Sequence, residues 1–129
     1  MPTVLIVEDT IELAEVIQAT LERMNIDTHH ESHGEKGMRT YEKLSPDLVL
    51  LDIALPDMQG WKLLDRIREF VESKPNREMP KIIVISAYGD PANRLMGKLQ
   101  DIAQYLIKPF TPDEVEAVVA GVLGLERPS

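Results

Sequence analysis

The sequence contains no cysteine, so no disulfide framework is available, and the chain suits a reducing compartment such as the cytoplasm. No apolar run approaches the length of a membrane span. The stretch from Met1 to Asp9 lacks the basic flank and apolar core of a secretory leader. Basic residues are in the minority, with 14 Lys and Arg against 22 Asp and Glu and a formal charge of -8. Such a balance argues against direct binding to nucleic acid, whose affinity rests on phosphate neutralisation. Internal repeats, low-complexity tracts and a second domain are also missing. What remains is 129 residues, 43% hydrophobic and 28% charged, enough for one globular domain over residues 1–129 with a core between two helical layers.

The stretch Leu48 to Asp57, LVLLDIALPD, organises the rest. Four apolar residues, Leu48 to Leu51, suit an interior strand of a parallel sheet covered on both faces. Asp52 ends the run, at the sheet edge where open α/β folds place their ligand crevice. Thr3 to Val7 reads as a first strand, followed by Glu8 and Asp9. Asp9 or Thr10 can cap a helix whose buried face is Ala14, Ile17, Leu21 and Met24, with Asn25 at its end. Thr28 to Glu31 is polar, as an edge strand would be, and Gly34 to Leu44 is a second helix before the turn Ser45-Pro46-Asp47.

Beyond Gly60, the spacing of Leu64, Ile67 and Val71 predicts a third helix. Ile82 to Ile85 repeats the doubly buried pattern and leads to Ser86, and Asp90-Pro91 signals a fourth helix. Tyr105 to Ile107 is the last strand, ending on Lys108 and Pro109, and Thr111-Pro112-Asp113-Glu114 is a capping box opening a fifth helix to about Leu123. Strands and helices alternate five times. The expected fold is α/β, a doubly wound five-stranded parallel sheet in the flavodoxin-like order 2-1-3-4-5 with five helices on two faces.

In such a sheet, Glu8 with Asp9, Asp52, Ser86 and Lys108 come together at neighbouring carboxyl ends. Singly they are helix caps or solvated surface. Together they form one site of three carboxylates, a hydroxyl and an ammonium. Crowded carboxylates repel and invite a hard divalent cation, and Mg²⁺ suits them because it accepts a few oxygen ligands and keeps several waters. A metal held by acids beside a fixed cation and a hydroxyl is apparatus for a phosphoryl group.

With VLIVED at 4–9, LVLLDIALPDMQG at 48–60, VISA at 84–87 and YLIKPF at 105–110, the chain resembles a receiver (response regulator) domain of two-component signalling, of the chemotaxis-regulator type, over essentially its whole length. The resemblance implies that Asp52 is the phosphoacceptor, attacking a phosphohistidine on a sensor histidine kinase or phosphotransfer protein, or a small phosphodonor. It implies Mg²⁺ bound by Asp9, Asp52 and the backbone carbonyl of Ala54, with Glu8 acting mainly through water. Ser86 would bond one phosphoryl oxygen and Lys108 another, with a cis bond between Lys108 and Pro109. Tyr105 would be a switch that turns inward when Ser86 moves toward phosphate. The family often has Gly where Asp101 stands, and Asp tolerates that turn. Ala54 and Tyr88 occupy positions that tune dephosphorylation, and they point to a long-lived phosphoryl group.

Such a domain catalyses only its own phosphoryl transfer and loss, and is not otherwise an enzyme. The rival reading is an aspartyl-phosphate phosphatase or phosphotransferase of haloacid-dehalogenase type. It calls for Asp-x-Asp, but position 54 is Ala. A flavodoxin-like cofactor binder would need Ser/Thr/Gly-rich phosphate loops, which these loops are not. No effector domain follows Leu125, so the expectation is either a single-domain regulator or a receiver cut from a larger protein. Winged-helix transcription factors commonly dimerise through receiver acids and arginines, but Ile102, Ala103 and Gln104 precede Tyr105, and no Arg or Lys lies between Thr111 and Glu126. On the fifth helix Val115, Val118, Val119 and Val122 form the expected buried stripe. Ala117, Ala120, Gly121 and Gly124 form an uncharged opposite stripe which, with Tyr105 and the fourth helix, is a candidate surface for a second copy or a target. Of the rest, His29, His30 and His33 read as solvated surface, Trp61 and Phe70 as packing, and Gly34 and Gly37 as no phosphate fingerprint.

Overall fold

The computed structural model describes residues 1–87 and 102–126. Five strands, β1 (Thr3–Val7), β2 (Asp27–Glu31), β3 (Leu48–Asp52), β4 (Lys81–Ala87) and β5 (Gln104–Lys108), form one sheet. All pairings are parallel, in the order β2-β1-β3-β4-β5. The described helices are α1 (Ile11–Arg23), α2 (Gly34–Leu44), α3 (Gly60–Glu72) and α4 (Pro112–Leu123). The fold is the doubly wound α/β class expected of the sequence. Tyr88, Asp101 and the helix expected after Asp90-Pro91 lie outside the described residues.

β3 shows why the sheet needs cover on both sides. All five of its residues are buried. Val49 and Leu51 pack with Tyr41, Leu63 and Ile67 of α2 and α3, while Leu48 and Leu50 pack with Ile17, Leu21 and Val119 of α1 and α4. Alternate residues of a strand face opposite ways, so one apolar run feeds both cores. Each such side chain contributes about 1.5–3 kcal/mol on burial, which offsets the cost of carrying Asp52 at the end of the same strand.

The ends of the elements follow their sequences. Thr111 Oγ1 accepts from the Glu114 amide at 3.1 Å, and Glu114 Oε1 accepts from the Thr111 amide at 3.3 Å, which completes the expected capping box of α4. Gly124 stops α4 at φ 68°. Asn25 ends the α1 turn at φ 62°, a conformation Asn accepts more readily than most residues. α1 starts differently. Thr10 is its N-cap residue but makes no side-chain capping bond.

α4 departs from its expected orientation. Val115 and Val119 are buried as expected, and Val118 and Val122 are half-buried. Ala120, placed on the outer stripe by the sequence pattern, is buried at 3% exposure. Glu116 is also buried, held by Arg23 of α1 across 2.6 Å. Glu116 and Ala120, one turn apart, therefore share the side of α4 that faces inward near α1. The outer small residues are Ala117, Gly121 and Gly124.

Candidate phosphoryl and metal site

The strand order places the carboxyl ends of β1, β3 and β4 side by side, with β5 next. Glu8 follows β1 and has no exposure to solvent, whereas Asp9 beside it is exposed. Asp52 ends β3 and is buried. Ser86, also buried, stands one residue beyond Ile85, the β4 partner of Asp52. Lys108 ends β5, and the peptide that follows it to Pro109 is cis.

Lys108 Nζ lies 2.7 Å from Asp52 Oδ2 and 3.3 Å from Glu8 Oε1. Asp52 Oδ1 accepts the Ala54 amide at 2.9 Å, so both of its oxygens are engaged. Glu8 Oε2 accepts the Thr10 amide at 3.1 Å. Burial pushes the Glu8 carboxyl up to about 8, and the neighbouring Asp52 carboxyl adds to the rise. The Thr10 amide and Lys108 act in the other direction. For Lys108, partial burial favours the neutral amine, but its hydrogen bond to Asp52 and the charges of Asp52 and Glu8 outweigh it and hold the ammonium above its usual value. Lys108 is therefore a fixed positive charge at neutral pH.

One carboxylate oxygen each from Glu8, Asp9 and Asp52 can lie within 4.8 Å of the others, the spacing of ligands around a single ion. Glu8 Oε1 is buried and makes no hydrogen bond. A buried carboxylate oxygen paired with the Lys108 ammonium but holding no hydrogen bond, beside two further acids, is a donor set a hard cation takes. These residues fit Mg²⁺.

The loop from Ile53 to Gln59 is closed on itself. The Gly60 amide donates to the Ile53 carbonyl at 2.7 Å, and Ala54 forms an antiparallel bridge with Gln59. A Cβ at Gly60 would lie 2.5 Å from the Asp52 carbonyl oxygen, so only glycine lets α3 start this close to β3. Gly34 and Gly37, given no weight in the sequence, have packing roles. A Cβ at Gly34 would collide with the Met58 side chain, and one at Gly37 would lie 3.1 Å from Val7.

Sequence reasoning missed two contacts. Asp57 accepts the amides of Gly34 at 2.8 Å and Glu35 at 3.0 Å, capping α2 from another loop. His33, the N-cap residue of α2, makes no side-chain capping bond there. These amides hold the Asp57 carboxyl below its ordinary value. An acid in a proline-containing loop was the only signal. The second contact corrects the reading of the histidines. His30 is half-buried, and its Nε2 lies 2.7 Å from the Glu8 carbonyl oxygen. His29 bonds Asp27, and His33 bonds Ser32. Trp61 is buried and Phe70 packs against the same core, as expected. Tyr105 is half-buried against that core.

The sequence model of the response regulator receiver domain matches residues 4–120. The chain belongs to that family. As a receiver domain it is 33% identical over 123 residues to the response regulator ArlR of Staphylococcus saprophyticus, an alignment covering 95% of this chain and 53% of ArlR. It is 29% identical to PhoP, an alkaline phosphatase synthesis transcriptional regulatory protein of Bacillus subtilis, over 93% of this chain and 48% of PhoP. The non-phosphorylated HemR receiver domain of Leptospira biflexa superposes with a TM-score of 0.85 at 26% identity, covering 100% of this chain and 99% of that one. The receiver domain thus spans about half the length of the curated relatives it matches. The family disfavours the haloacid-dehalogenase alternative, as does the alanine at position 54. Among the described residues, no helix is long and apolar enough to cross a membrane.

Proposed function

We propose that this receiver accepts a phosphoryl group on Asp52 and uses it to switch a protein-interaction surface. The observation that carries the reading is the setting of Asp52: one oxygen on the Lys108 ammonium, the other on the Ala54 amide, with Glu8 and Asp9 alongside. A carboxylate oxygen of Asp52 attacks the phosphorus of a phosphohistidine. A P–O bond forms as the P–N bond breaks, and the imidazole departs with the bonding pair and takes up a proton. Glu8, Asp9, Asp52 and the Ala54 carbonyl would hold Mg²⁺, which when bound would offset negative charge on the transferring group. Lys108 holds one phosphoryl oxygen as a point charge and the Ser86 hydroxyl donates to another. Tyr105 turns inward as Ser86 moves.

The donor is a sensor histidine kinase or a phosphotransfer protein. A cleft of about 610 Å³ between Leu13 and Val16 of α1 and Pro109 and Phe110 is lined by Lys108 as well. Ile11 and Val16 expose large apolar side chains close by. A partner seated there would have its histidine next to Asp52. The switched surface is the outer side of α4 with Tyr105 beside it, open to a second copy or a target. The charge of -8 disfavours direct contact between this domain and nucleic acid.

Incubation with acetyl phosphate and Mg²⁺, followed by mass spectrometry, tests the chemistry. One phosphoryl group on Asp52, lost in Asp52→Asn, is expected. Modification at Ser86 instead would refute the assignment.

A further inference from the structure

Glu8 has four polar groups, and the fold ties down three of them. Its amide donates to the Glu31 carbonyl at 3.1 Å, one residue beyond the last β1–β2 register pair. Its Oε2 accepts the Thr10 amide. Its carbonyl oxygen lies 2.7 Å from His30 Nε2. A carbonyl oxygen can only accept, so the proton of that bond is on the imidazole. Only Oε1 makes no hydrogen bond, and it is the oxygen that sits 3.3 Å from Lys108.

The carbonyl that His30 holds belongs to the peptide joining Glu8 to Asp9. Turning that carbonyl through the ψ angle of Glu8 would also swing the Asp9 Cα about the Glu8 Cα–C bond, and so shift the Asp9 carboxylate relative to Glu8 and Asp52. Main-chain bonds from β2 restrain the amide side of Glu8, whereas the carbonyl side is held by the His30 ring. A ring braced in an edge strand is also stiffer than a long flexible side chain in the same place.

We infer that His30 is a positioning residue for the divalent-cation site, setting the Glu8–Asp9 peptide so that Glu8 Oε1 and the Asp9 carboxylate converge with Asp52. The inference rests on the reading of this site as a Mg²⁺ site. Partners that orient metal ligands typically change affinity 10- to 100-fold when lost.

Calorimetric titration of the metal-free protein with MgCl₂ tests it. His30→Leu keeps bulk but donates nothing, and Mg²⁺ should bind about tenfold more weakly. His30→Gln places an amide N–H close to where Nε2 stood, and its affinity should return to within about twofold of wild type. A ¹⁵N spectrum of the wild-type imidazole, which does not depend on either variant folding, should show His30 as the Nε2–H tautomer. Wild-type affinity in His30→Leu, equal weakness in both variants, or an Nδ1–H tautomer would each overturn the inference while leaving the metal site standing. Wild-type protein that binds no Mg²⁺ would overturn the site and the inference with it.

Discussion

Glu8 is fully buried, and its carboxyl is raised from 4.5 to about 8, first by that burial. An unfolded chain releases this proton near pH 4.5, while the folded domain keeps it until about pH 8. Between those values the folded state binds more protons than the unfolded one, so the metal-free fold loses stability as pH rises. Glu8→Gln cannot ionise and should remove most of that loss. Urea midpoints of both proteins at about pH 5 and about pH 8.5 check it. An equal decline in wild type and variant would mean that Glu8 is not the group responsible. Mg²⁺ needs the ionised carboxylate, so its affinity should climb through the same window as the proton is displaced.

At the scale of elements, the loop after β3 and the helix α2 depend on each other. Asp57 supplies the capping bonds that His33 does not make. Asp57→Ala should cost roughly 1 kcal/mol, the usual effect of losing a cap, measured by chemical denaturation. With its folded value depressed, Asp57 stabilises the fold above its unfolded value of 3.8, and this is lost as pH falls through the folded one. That contribution should be missing from the acid limb of the alanine variant.

The packing of α4 against the sheet and α1 makes a second prediction at this scale. Ala120→Arg forces a charged side chain into the buried side of the helix and should destabilise the fold itself, by several kcal/mol. Ala117→Arg lies on the exposed side and should leave thermal stability within about 0.5 kcal/mol of wild type. Ala117 is therefore the position at which to test association through this surface. A neutral Ala120→Arg would show that α4 is turned differently.

For the whole molecule, the dominant property is a net charge of -8 with three acids drawn to one end of the sheet. A cation that binds only the folded state stabilises it by mass action, about 2.7 kcal/mol at a concentration 100 times its dissociation constant. Millimolar MgCl₂ should therefore raise the melting temperature of wild type, and raise it less in Asp52→Asn. NaCl at equal ionic strength separates this from general screening of the acidic surface. If both salts have the same effect in both proteins, no shared cation site exists.

Much of this molecule is written in patterns that a chain carries locally. The doubly buried run from Leu48 to Leu51, the matching run in β4 and the Thr111–Glu114 box mark the α/β class and the polar residues at the strand ends. α2 and β3 fall where their residues place them, because apolar spacing and turn chemistry act over a few residues. The facing of α4 could not be read this way. Its residues from Val115 on are nearly all apolar or small, so the helix has little contrast between sides, and contacts such as the Arg23–Glu116 pair, 93 residues apart, exist only once the chain has folded. The contacts of His30 and Asp57 were hidden for another reason. Their partners are a carbonyl 22 residues away and amides 22 and 23 residues away. Those main-chain groups are carried by nearly every residue, so no side-chain pattern announces them, and only the folded arrangement brings them within reach.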